Sequence, residues 1–347
     1  MLTHHRTRGG LVALVTAAAG LLAFGVPAAS SAAPTPVDPS ALPRGANPAV
    51  VHLVRDTIRD GALRVPATTL GKHVDLWSTS RGYVVKDQVR GPFFRLVFVD
   101  RSGATRVLAR GVLTAAVSGD GTRIAWSKDV GRYGGPPSVI TMANPNTGKV
   151  LGRHRFGLGA RLIAVTAHRV LLSRLFTPTT GTLWWKPAGD TVRKISDESV
   201  VGVDFGNDRI VFDVPRDAPA CVRVARWTDF DRTLWRSCDL LPHGWSPNGD
   251  LALATHTYFD DVGTNLWATI DGTTGVRHSQ VTGRLAWEAV WEDNQHFLTI
   301  EQGDDGMAAI IRCTTDGTCE RASRLWDMGV PDYLPNYIAP PVVLPNN

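Results

Sequence analysis

The sequence predicts an all-β fold: a β-propeller of six four-stranded antiparallel blades, with seven as the alternative. Three observations carry this. From Val51 onward the chain is built of short apolar runs rich in β-branched and aromatic residues, broken by Gly, Asp, Asn and Pro, with almost no helical pattern. One strand recurs six times, as "GYVV" at Tyr83, "RIAW" at Ile124, "RVLL" at Val170, "RIVF" at Ile210, "DLALA" at Leu251 and "HFLTI" at Phe297, at separations of 41, 46, 40, 41 and 46 residues. A second marker, a turn, follows each of them in phase: "DRSG", "NPNTG", "PAGD", "TDFD", "DGTTG" and "TDGT". Four antiparallel strands every 40 to 46 residues form a unit that cannot bury both its faces alone, whereas a ring of such units can.

The elements follow in order. Residues 1–32 read as a secretory signal, with Arg6 and Arg8 ahead of an apolar run from Leu11 to Val26 and small residues around a cleavage point after Ala32. That run is shorter than the roughly 20 residues that span a bilayer, and no later stretch is long enough. No Cys lies near the cleavage point, as a lipoprotein anchor would require. Residues 33–48, rich in Pro, Ala and Ser, read as a flexible leader. A hairpin follows over 51–66, turning at Asp60-Gly61. The propeller is expected over 49–326, with full repeats from about residue 74. In each, an apolar strand leads in ("HVDLW", "LTAAVS", "RLIAVT", "VVGVDF", "LPHGWS", "AWEAVW"), a tight turn carries it into the second strand, and a longer loop leads to the third. Residues 327–347 form a tail with five prolines, a poor strand former. The hairpin is expected either to add to the last blade as a clasp, closing six blades, or to build an irregular seventh with the tail.

Four cysteines, an even number in an exported chain, favour disulfides. Cys221 and Cys238 are symmetric about Asp229-Phe230, and Cys313 and Cys319 about Asp316. Both centres are third-to-fourth-strand turns. Cys221–Cys238 and Cys313–Cys319 are therefore expected across single hairpins, at a Cα separation of about 5.5 Å.

Two repeats carry a sharper signal. "WSPNGDLALA" (Trp245, Ser246, Pro247, Asn248, Gly249) and "VSGDGTRIAW" (Ser118, Asp120, Gly121, Ile124, Ala125, Trp126) resemble the WD40-like repeat of TolB-like propellers. The other four repeats depart from it. The resemblance spans most of Asp75 to Asp327 and implies a fold and a general class, not a particular role.

The formal charge is +5, falling to +3 once Arg6 and Arg8 leave with the signal, and no Lys/Arg run marks a nucleic-acid binder. There is no G-x-S-x-G elbow, no H-E-x-x-H, no EF-hand loop and no G-x-G-x-x-G after a strand, so no catalytic residue and no cofactor is assigned. The stretch "HTYFDD", His256 to Asp261, groups residue types that ligate metals, but in a loop where they are common; no metal site is assigned. Propeller geometry directs attention to the loops after each second strand, which are longer and more varied than the opposite turns. Their candidate binding residues are Asp87, Asp129, Arg132, Tyr133, Arg174, Asp213, His256, Asp260 and Glu301. The favoured expectation is an exported scaffold that contacts a protein or cell-envelope polymer through this loop-rich face, with no nucleic acid and no membrane span. The alternatives are a hydrolase or lyase with its site at the channel mouth, or a carbohydrate-binding module using exposed Trp, for which Trp184-Trp185 is the best candidate because neighbours on a strand face opposite ways.

Overall fold

The computed structural model describes residues 33–67, 72–90, 93–130, 137–157, 159–174, 181–214, 221–257, 264–329 and 342–346. These form seven four-stranded antiparallel units, inner strand to outer. Blade 1 is Lys72–Thr79, Gly82–Arg90, Phe93–Asp100 and Thr105–Val112; blade 2 is Ala115–Val117, Ile124–Asp129, Ser138–Ala143 and Val150–Phe156. Blade 3 is Arg161–Val165, Val170–Arg174, Gly181–Lys186 and Thr191–Ser196; blade 4 is Ser199–Asp204, Arg209–Val214, Cys221–Ala225 and Thr233–Ser237. Blades 5 and 6 share one strand, Arg277–Trp291. Its first part closes blade 5 against Leu240–Trp245, Leu251–His256 and Thr264–Asp271, and its last part opens blade 6, followed by His296–Gln302, Met307–Thr314 and Cys319–Arg321.

Blade 7 joins the two ends of the chain. The hairpin strands His52–Val54, Thr57–Asp60 and Leu63–Pro66 supply its outer three strands, and Val342–Val343 supplies the inner one, with Leu53 opposite Val343 and Val54 opposite Val342. Of the two closures the sequence left open, the ring takes the seven-bladed one. The prolines of the tail leave room for a strand of two residues, and two are enough because both faces of that strand are covered.

The core lies between blades. Among the described residues, seven apolar clusters form, one at each junction of neighbouring blades around the ring. This arrangement corrects the reading of Trp184-Trp185. The two rings do point to opposite faces, but both faces of a blade are core. Trp184, 8% exposed, packs toward blade 4, and Trp185, 0% exposed, packs toward blade 2. Neither presents a ring on which a sugar could stack.

The repeated turn explains itself chemically. In "SGDG" the Ser118 carbonyl accepts from the Gly121 N–H at 2.7 Å, and in "SPNG" Ser246 accepts from Gly249 at 2.8 Å. Both glycines adopt positive φ, 65° and 77°, which a side chain would disfavour. The serine hydroxyls accept the N–H groups of Arg123 and Leu251 and donate to Asp120 and Asn248. Each turn thereby satisfies its own buried polar groups.

The stretch 33–48, read as a leader, makes defined contacts. Thr35–Pro36 pairs in parallel with Val281 and Thr282 on the outer edge of blade 5, and Gly45 and Pro43 exchange backbone hydrogen bonds with Arg321 on the outer edge of blade 6.

Both expected disulfides are present, with Cα separations of 4.0 Å for Cys221–Cys238 and 4.2 Å for Cys313–Cys319. These are shorter than the expected spacing and match pairs that do not exchange backbone hydrogen bonds, where strands approach more closely. They close loops of 17 and 6 residues by sequence separation. Chain entropy alone then predicts losses of about 3 and about 2 kcal/mol for the respective Cys-to-Ala pairs. Urea unfolding of the two double variants measures both, and the Cys221/Cys238 pair should show the larger loss.

Candidate functional site

The described loop-face candidates sit in equivalent places, near the ends of second strands, and Asp87, Asp129 and Glu301 are committed within their own blade. Asp87 is fully buried and salt-bridged to Arg95 at 2.5 Å. Asp129 accepts from the Ser138 hydroxyl at 2.6 Å. The Arg174 carbonyl accepts from Ser199 at 2.9 Å. Burial raises the pKa of Asp213. His256 is half-buried, with Nδ1 3.3 Å from an Asp239 carboxylate oxygen. Glu301 is fully buried and takes a hydrogen bond from Thr299 at 3.0 Å; burial pushes its pKa up to about 8. Arg132, Tyr133 and Asp260 lie outside the described residues, as does most of the "HTYFDD" stretch.

The inner strands enclose a central channel of about 610 Å³. All seven blades line it, through residues such as Trp77, Val117, Ile163, Phe205, Trp245, Trp291 and Pro345. These cluster at the ends of the inner strands, so the channel opens on the tight-turn face, opposite the longer loops. A branch of the cavity runs between blades 5 and 6, past Leu253, Thr255, Thr264 and Trp267.

A backbone irregularity places Ile163, His243, Trp287 and Glu288 in the lining of this space. The pairing of inner to second strand skips Val74, Ile163, Val201 and His243 in blades 1, 3, 4 and 5, and skips Trp287 and Glu288 in blade 6. A bulge turns the extra residue out of the ladder. Where the earlier blades place aliphatic residues there, blades 5 and 6 place His243 and Glu288, both of which line the channel. His243 bonds the Thr255 hydroxyl through Nε2 at 2.7 Å and meets the Trp267 ring edge-on at 5.3 Å. Burial lowers its pKa to about 4, so it is neutral at pH 7. Glu288 accepts from the Leu344 N–H at 3.0 Å. Burial, with Asp75 nearby, raises its pKa to about 8, so it is largely a neutral acid at pH 7. Asp75 in turn pairs with Lys86 at 2.8 Å and accepts from the Asn346 amide at 2.5 Å.

The channel wall is thus largely aromatic and aliphatic, with His243, Glu288, Thr255, Thr264 and Asn346 as polar groups and the Asp204 carboxylate, which accepts hydrogen bonds from Asn207. Sequence reading missed His243 and Glu288, since each sits in a strand that otherwise reads as an apolar lead-in; a lone polar residue at the bulge position was the available signal. Among the described residues, no three His, Cys, Asp or Glu side chains gather as a metal site requires, and no helix is long and apolar enough to cross a membrane.

No protein-family model matches this sequence, and no curated protein matches it. Solved structures do. The β-propeller domain of the trilobed protease from Pyrococcus furiosus aligns at a TM-score of 0.50 and 13% identity over 73% of this chain and 84% of that one. That domain is described as having an open velcro topology; here the C-terminal strand pairs with the N-terminal hairpin. A prolyl endopeptidase aligns at 0.52 and 14% identity over 74% of this chain, which spans 42% of the endopeptidase. TolB from Acinetobacter baumannii aligns at 0.45 and 11% identity, covering 74% and 67% of the two chains. The first two likenesses, with the strand order above, establish the fold: an all-β propeller of four-stranded antiparallel blades.

Proposed function

We propose that this chain is an exported binding protein whose ligand enters the central channel from the tight-turn face. One observation carries the reading: a cavity of about 610 Å³ converges from seven inner strands and is walled mostly by apolar and aromatic side chains, with a few polar groups, His243, Glu288, Asp204 and Asn346 among them, fixed in its lining. Concave, mostly apolar sites with few fixed polar groups suit small-molecule recognition. Two disulfides fit an oxidising compartment outside the cytoplasm. The mouth is lined largely by Trp, Val, Ala, Gly and Pro, and the carboxylate of Asp204 there is held by the Asn207 amide and N–H, which favours binding. The reading moves the working face away from the longer loops, because Asp87 and Glu301 there are enclosed within the ring.

Gly244 supplies the test. It lines the channel next to His243, and a Cβ added there meets nothing within 4 Å. Gly244→Phe should fill the space without disturbing the blade. Crystals of the native chain soaked with a library of aromatic and saccharide fragments should show occupancy beside Trp245 and Trp267, and crystals of the variant should lose it. Fragments bound only elsewhere, or binding unchanged in Gly244→Phe, would sink the proposal.

A further inference from the structure

Charge is distributed unevenly around the ring. Between Ala115 and Ser196, the span of blades 2 and 3, there are twelve Lys and Arg against three Asp, a net +9 in a chain whose total is +5. The rest of the chain is therefore net acidic. The outer strands of these two blades expose Arg153, Arg155, Arg193 and Lys194. Like charges crowd here: the Lys128 pKa is lowered by burial and further by Arg153.

Arg123, Arg169 and Lys186 stand around a second cavity, an open groove of about 640 Å³ along the tight-turn edge of blade 3. Apolar groups from Met142, Leu151, Trp184 and Trp227 line it, and Leu151 is 38% exposed. The Arg169 guanidinium lies 5.9 Å over the Trp184 ring. Among the described residues, no carboxylate lines the groove. The three Asp of these blades are held locally: Asp120 by Ser118 and Thr122, with Arg123 as a weaker influence; Asp129 by Ser138; Asp190 by His154 and the Trp185 indole. The cations are thus in excess where the apolar surface is.

We infer that this face binds an acidic polysaccharide, independently of the channel. A repeating anion gains from a broad positive field that raises its local concentration. Arginine forks match carboxylates in pairs. The exposed Leu151 at the groove supplies an apolar edge for the C–H faces of sugar rings. A nucleic-acid strand would instead call for open ring faces on which bases stack. Trp184 is covered by Arg169, and Trp227 packs edge-on against Trp184 at 5.1 Å and Phe205 at 5.2 Å.

The test is titration of the full chain with polygalacturonate, followed by calorimetry, with dextran, polyphosphate and single-stranded DNA in parallel. Polygalacturonate should bind and dextran should not. Arg169→Glu/Lys186→Glu should weaken binding about tenfold or more, and added salt should weaken it as screening predicts. The variant's circular dichroism and unfolding midpoint check that the ring is intact. No binding of polygalacturonate, or equal binding by an intact variant, would overturn the assignment. Polyphosphate or DNA binding within about threefold of polygalacturonate would overturn it too, since the face would then be selecting charge alone.

Discussion

Deleting residues 342–347 is expected to destroy the ring rather than trim it. Val342, Val343 and Leu344 are each no more than 3% exposed. They are shared by the two apolar clusters that flank blade 7, one toward blade 6 and one toward blade 1. Burying such side chains is worth about 1.5–3 kcal/mol each, so the three together contribute about 5–9 kcal/mol. A whole domain typically has a stability of only about 5–15 kcal/mol. The deletion also strips Glu288 of the Leu344 N–H and Asp75 of the Asn346 amide, and it exposes the edge of His52–Val54. Urea unfolding and size-exclusion chromatography of the truncated chain should show a lost or strongly lowered midpoint and an expanded radius. A truncated chain with the native midpoint would mean that the other six blades close without it.

Stability should fall as pH rises through the neutral range. Glu288 and Glu301 have folded pKa values of about 8, above their ordinary 4.5. The folded chain therefore keeps two protons that the unfolded chain has released. Their contribution is complete below about pH 4.5 and is lost as pH rises through about 8. His243 acts in the opposite direction and in another window. Its folded value of about 4 lies below the ordinary 6.5, so its contribution is present above about pH 6.5 and lost as pH falls through about 4. Between about pH 6.5 and 8 the two acids act without that opposition, each removing about 1.4 kcal/mol per pH unit while it titrates. Glu301 holds its proton with one carboxyl oxygen buried without a hydrogen-bond partner, and Glu288 with the Leu344 N–H and a nearby Asp75. Urea midpoints across this range should decline in the native chain and flatten in Glu288→Gln/Glu301→Gln. An equal decline in that variant would assign the effect to other groups.

The blades were legible because each is local: hairpin turns and alternating strands repeat within 40 to 46 residues. The seventh was half legible. Its hairpin has a turn signal at Asp60-Gly61 with positive φ at the glycine, but Val342–Val343 is too short to register as a strand and pairs with Leu53, 290 positions earlier. The long strand Arg277–Trp291 read as two separate strands, since its two halves serve different blades. Cysteine pairing followed from hairpin symmetry alone. The channel was hidden because its lining is drawn from one or a few residues per blade, and His243 and Glu288 meet the same cavity only after closure. The basic face was hidden for a related reason: residues such as Arg123, Arg153, Lys186 and Arg193 look scattered until blade boundaries show that they belong to two neighbours.

The strand shared by blades 5 and 6 has a mechanical consequence. Adjacent propeller blades are usually joined by side-chain packing and a short linker, so each can tilt slightly against the next. Here one unbroken backbone runs from the rim of blade 5 to the hub of blade 6, with residues 35–45 strapped along the outside of both. That seam is crossed by a continuous strand, whereas the other six described seams are held by side-chain packing and their linkers. The branch of the channel carrying His243 and Glu288 lies between those two blades, so its walls are tied together by backbone as well as by side-chain packing.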